Sequence, residues 1–75
     1  DTVTAIDYKS NRLVPGDPDT VPEGLLRQMG AYYALLNEIW PEKEAKVALL
    51  WTSTATLMPL EPERVTEALA RATVP

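Results

Sequence analysis

The chain opens in alternation. Val3 and Ala5 face one way and Thr2, Thr4 and Ile6 the other, within a β-branched and aromatic run that predicts a strand from Thr2 to Lys9. Residues 13–19 hold Pro15, Gly16 and Pro18 and read as a loop, because proline removes a backbone donor and glycine opens turn conformations. The period then changes. Leu25, Leu26, Met29, Tyr32, Tyr33, Leu36, Ile39 and Trp40 recur at helical spacing. Thr20 and Glu23 have the spacing of a capping box, Pro22 suits a first turn, and Pro41 stops the run. A helix is expected over about residues 21–39, with Gly24 and Gly30 each weakening it by up to about 1 kcal/mol relative to alanine.

Residues 46–52 are mostly apolar and predict a buried strand. Residues 56–60 return beside it as an edge strand, since Pro59 cannot donate to a central ladder. The connecting Ser53-Thr54-Ala55 lacks glycine and asparagine, which leaves its turn type open. Glu61-Pro62-Glu63 opens a last helix with Val65, Ala68, Leu69 and Ala72 on one face. Trp40 and Trp51 are expected in the core or on a sheet face, and Glu42 to Glu44 in a solvated turn. The resulting order, β-α-β-β-α, is an α/β (α+β) arrangement.

Size and composition limit what this arrangement can do unaided. A core built from 75 residues rarely supplies more than roughly 3–5 kcal/mol without a staple. The chain has no cysteine and no histidine, so a disulfide and a Cys/His zinc cluster are both excluded. The text already reads as strand from Thr2, as expected of a truncated or processed chain. These features predict that the isolated chain forms a twofold homodimer. No apolar run is long enough for a membrane span and no signal-peptide pattern occurs, which together with the absence of cysteine suits a cytoplasmic setting. Net charge is −4, unlike a protein that holds DNA by general electrostatics. The segment from Asp1 to Arg12 is neutral, so a nucleic-acid contact is expected there, assisted by metal ions. Ser10, Asn11 and Arg12 suit phosphate contacts or a solvated loop.

Ile6-Asp7-Tyr8-Lys9 carries the candidate chemistry. Residues two apart on a strand share a face, so Asp7 and Lys9 point together. A carboxylate binds a hard cation such as Mg²⁺, and an ammonium beside it can orient a water or stabilise charge on a phosphate. The Tyr8 backbone carbonyl can add a ligand at the strand end. The same spacing also describes a surface salt bridge worth about 0–1 kcal/mol. Gln28 and Tyr32, four apart on a helix, share a face as well. Gln28 can line a site, or it can simply edge the apolar stripe.

Taken in order, the strand Ile-Asp-Tyr-Lys-Ser-Asn-Arg, the proline-rich loop and the helix with Leu-Arg-Gln-Met-x-x-Tyr resemble the RecB-type nucleases of the PD-(D/E)XK superfamily. The likeness is greatest to the C-terminal end of AddA-type helicase–nuclease subunits, and residues 48–52 and 57–60 extend it. The resemblance implies a partial restriction-endonuclease-like fold, with residues 1–75 as the C-terminal fragment of a RecB-like nuclease domain. It implies Asp7 as metal ligand, Lys9 as catalytic lysine, and Gln28 and Tyr32 as the motif lining the site. Mg²⁺ is the implied cofactor, with ATP used by a helicase part outside these residues. DNA and an AddB-like subunit are the implied partners, and resection of double-strand breaks the implied role. The family also uses acidic residues ahead of this strand, which the chain lacks, so the fragment by itself is expected to be inactive. A non-catalytic structural or protein-interaction module with the same fold remnant is the alternative.

Overall fold

The computed structural model describes residues 1–10, 16 and 20–72. Five elements follow in the expected order: β1 (Thr2–Lys9), α1 (Glu23–Ile39), β2 (Glu44–Trp51), β3 (Thr56–Leu60) and α2 (Pro62–Ala72). The strands form one mixed sheet in the order β1-β2-β3. β1 runs parallel to β2, with Thr2 opposite Glu44 and Lys9 opposite Trp51. A parallel neighbour requires a crossover, and α1 supplies it. β3 returns antiparallel to β2, with Val47 opposite Leu60 and Trp51 opposite Thr56. The result is a small mixed α+β domain. The proline loop of residues 13–19 falls largely outside the described residues, as do Asn11 and Arg12.

The core lies between the sheet and the two helices. Met29, Val47, Leu49, Trp51, Val65 and Ala68 are its most enclosed members, joined by Leu26, Met58 and Leu60. On β2 the odd positions Ala45, Val47, Leu49 and Trp51 are all buried, as alternation requires of a strand facing helices. β1 alternates as predicted: Val3 and Ala5 are half-buried and Thr2, Thr4 and Ile6 are exposed. Both helices contact each other closely, and α1 spans β1 and β2.

Several expectations need correction. The helix starts at Glu23, with Pro22 at its N-cap and no side-chain hydrogen bond there, so Thr20 is not the N-cap that the capping-box spacing implied. Glu23 is drawn instead to the far end of the chain. Arg71 Nε and Nη2 donate to its two carboxylate oxygens at 2.8 and 3.0 Å, tying the start of α1 to the end of α2. The donated Arg71 hydrogen bond holds the Glu23 carboxyl below its usual pKa, and the Glu23 carboxylate in turn raises that of Arg71. A depressed carboxyl pKa makes this contact's contribution complete above the unfolded value and lost as pH falls through the folded one. Trp40 is not core: it follows the last turn of α1 and is 37 % exposed. Ala72 is also exposed, at the last turn of α2, which buries Val65 and Ala68. Glu44 is the first residue of β2 rather than part of a turn, its amide donating to the Asp1 carbonyl at 3.0 Å. The β2–β3 turn is closed by Ala55 in the left-handed region, φ 53°, where glycine or asparagine is usual.

Candidate catalytic corner at the end of the first strand

Asp7 and Lys9 lie on the helix-facing side of β1, in line with Val3 and Ala5. Lys9 Nζ sits 3.0 Å from Asp7 Oδ2, with the two side chains 22 % and 21 % exposed. Register sets them beside Leu49 and Trp51 of β2, so the floor of this corner is apolar. Asp7 Oδ2 is itself buried and accepts no hydrogen bond among the described residues, so the Lys9 charge beside it is its compensation. A carboxylate oxygen out of water and short of donors is costly unless a cation stands by it. The pair is therefore more enclosed than the solvent-exposed salt bridge that its spacing also allowed.

The strand end is fixed by β2. The Thr52 amide donates to the Lys9 carbonyl at 2.8 Å, and its hydroxyl donates to the same oxygen at 3.1 Å. The carbonyls of Asp1 and Lys9 thus both point to β2. Backbone groups alternate in direction along a strand, so those of Thr2, Thr4, Ile6 and Tyr8 point to the other side, where none of the described strands lies. The Tyr8 carbonyl is directed at this open edge, close in sequence to the Asp7 carboxylate, while its side chain is exposed on the face away from the helices.

Gln28 and Tyr32 occupy α1. Gln28 Nε2 donates to the Tyr32 hydroxyl at 2.9 Å, so the two act as one unit, and both are exposed. With Leu35 and Ile39 they form a line at i, i+4, i+7 and i+11, one face of the helix. Gly30, which packs against Val65, is on the opposite face. α2 starts two residues after β3, the far edge of the sheet, so the Gln28 line looks outward over the β1 flank. Asp7 and Lys9 project from β1 toward the helix layer. A cavity of about 510 Å³ lies away from this corner, bounded by Glu23, Glu61, Glu67 and Arg71 between the ends of the helices. Among the described residues there is no group of three or more acidic side chains that can hold a metal ion.

Sequence reasoning passed over one polar atom in this corner. The indole Nε1 of Trp51, on the strand position beside Lys9, is buried without a hydrogen-bond partner among the described residues. Trp51 was expected in the core and is there, fully enclosed. Its unpaired donor follows from three-dimensional packing that no sequence motif signals. No family model, curated protein or solved structure matches this chain.

Proposed function

We propose that this chain is part of a Mg²⁺-dependent DNA exonuclease domain, in a helicase–nuclease of the RecB type that resects double-strand breaks with an AddB-like partner subunit. The observation that carries the reading is the Asp7–Lys9 pair, half-buried on the helix side of β1; the bonded Gln28–Tyr32 unit sits on α1, the helix that packs against β1 and β2. Asp7 Oδ2, short of donors, and the outward Tyr8 carbonyl are two oxygens suited to a hard cation. Bound there, Mg²⁺ supplies Lewis-acid polarisation of a phosphate and a more acidic water. Lys9 balances the Asp7 carboxylate here, and with a cation bound it would be available to hold a phosphate. The Gln28 amide and Tyr32 hydroxyl offer hydrogen bonds to the nucleic acid from above. A partial restriction-endonuclease-like fold accommodates the parallel β1–α1–β2 unit and the returning β3.

Two oxygens are few for an ion that favours near-octahedral ligation and gives up water reluctantly. The 75-residue chain with Mg²⁺ is therefore expected to leave linear duplex DNA intact. In a longer polypeptide that contains the chain and is active, Asp7→Ala and Lys9→Ala are each expected to lower Mg²⁺-dependent digestion by at least about a hundredfold, the scale of losing one electrostatic stabiliser. Digestion by the chain itself would remove the claim that its site is incomplete. Unchanged digestion by both longer variants would remove the nuclease reading.

A further inference from the structure

We propose that the 75-residue chain pairs with a second copy of itself through β1, antiparallel and about a twofold axis at Ala5. The starting point is the open edge. Thr2, Thr4, Ile6 and Tyr8 direct their amides and carbonyls away from β2, and a row of such unpaired groups is a template for another strand. The second point is the helix above that edge. Tyr32, Leu35 and Ile39 are 36 %, 52 % and 52 % exposed on the side of α1 away from α2. One occupant covers both features if it brings a strand and an apolar helix flank together, and a second copy brings both.

Geometry and charge select the register. With the axis at Ala5, Thr2 meets Tyr8 and Thr4 meets Ile6 of the other copy as hydrogen-bonded pairs. All four use the outward-pointing backbone groups, for about eight new bonds in the complete ladder. Ala5 faces Ala5 as a non-bonded pair, where the strands approach closest and a small side chain fits. Asp1 of each copy then stands opposite Lys9 of the other, an attractive cross-strand pair. A shift of the axis to Thr4 sets Asp1 against Asp7, two like charges. A shift to Ile6 puts Thr2 opposite Ser10, beyond the end of the strand. An axis normal to the sheet keeps both α1 helices on one side. Strands are about 4.8 Å apart and α1 spans β1 and β2, so the two α1 axes come to about 10 Å, near helix-packing distance. The contact is isologous and closes on itself.

This inference stands apart from the nuclease reading, since pairing needs no metal and no DNA. It also places Asp7 opposite Val3 and covers the Gln28 flank, which agrees with an inactive isolated chain.

Sedimentation of the chain at tens of micromolar is expected to show a dimer. Thr4→Pro removes an amide that faces the open edge and leaves the bonds to β2 in place. It is expected to keep the circular dichroism of the parent while raising the dimer dissociation constant about tenfold or more. Ala5→Cys, the only cysteine in its chain, is expected to form a symmetric disulfide on mild oxidation, because directly opposed Cα atoms about 4.5 Å apart fall within disulfide range. Lys9→Glu is expected to weaken the dimer and Asp1→Lys added to it to restore it. A monomeric parent chain would overturn the proposal. So would a dimer indifferent to Thr4→Pro, or one in which Ala5→Cys fails to cross-link while the dimer persists.

Discussion

Trp51→Ala is expected to unfold the domain. Trp51 ends β2 and is fully buried, the largest of the enclosed side chains, in one cluster with Met29, Leu49 and Val65. Truncating a buried tryptophan costs about 3–5 kcal/mol through lost burial and the cavity left behind. A chain of this size without disulfides has a total margin of about the same size. The variant should lack the cooperative urea transition and the dispersed amide spectrum of the parent. Trp51→Phe separates packing from polarity. It keeps most of the ring and deletes the buried Nε1–H that has no partner. Removing an unsatisfied donor offsets part of the lost volume, so the cost is expected to be about 1 kcal/mol. A Trp51→Ala chain that unfolds cooperatively within about 1 kcal/mol of the parent would show that the cluster does not depend on this ring.

Gly30→Ala is the second large effect, and its sign opposes helix propensity. On propensity alone the change stabilises α1 by up to about 1 kcal/mol. But Gly30 is where α1 and α2 cross. An added Cβ would meet the Val65 carbonyl oxygen well inside contact distance and Leu69 Cβ at 3.0 Å. The Val65 oxygen is backbone and cannot rotate away, so the helices must separate, and overpacking of this kind costs typically about 1–3 kcal/mol or more. A net loss of about 2–3 kcal/mol is expected. Gly24, in the same helix, has nothing within 4 Å of an added Cβ. Gly24→Ala should accordingly stabilise by up to about 1 kcal/mol. Opposite shifts of the two denaturation midpoints would bear this out; parallel stabilisation would show that the helix crossing tolerates a methyl group.

These two glycines mark the boundary of what could be read from the chain. Periodicity located α1 and α2 because their apolar spacing is local, and it assigned Val3 and Ala5 to the inner face of β1 for the same reason. It overstated Trp40, whose helical position matches the stripe but which caps the end of α1 and is exposed. It also missed the use of Glu23, since the competing partner, Arg71, is 48 residues away. The roles of Gly24 and Gly30 differ only through α2, and sequence treated them alike. For the candidate site, the shared face of Asp7 and Lys9 and the pairing of Gln28 with Tyr32 followed from strand and helix repeats. The shielding of Asp7 by the apolar floor of Leu49 and Trp51 did not, because it depends on which strand lies next to β1 and in what register.

That neighbour has a consequence for the time course of folding. β2, β3 and α2 are contiguous and joined by short connections, whereas β1 meets β2 across 42 residues, Thr2 against Glu44. Closing a long loop precedes any reward from the contacts it makes, so sequence-distant pairings form late. The β2–β3 hairpin is expected to organise the transition state, with β1 docking afterwards. Conservative substitutions in the hairpin, such as Leu49→Ala, should slow refolding. Substitutions in β1, such as Val3→Ala, should chiefly accelerate unfolding. Stopped-flow rates that showed the reverse partition would make β1 an early participant. If β1 docks last, its strand groups are the final ones withdrawn from water, and the first returned to it whenever the domain opens.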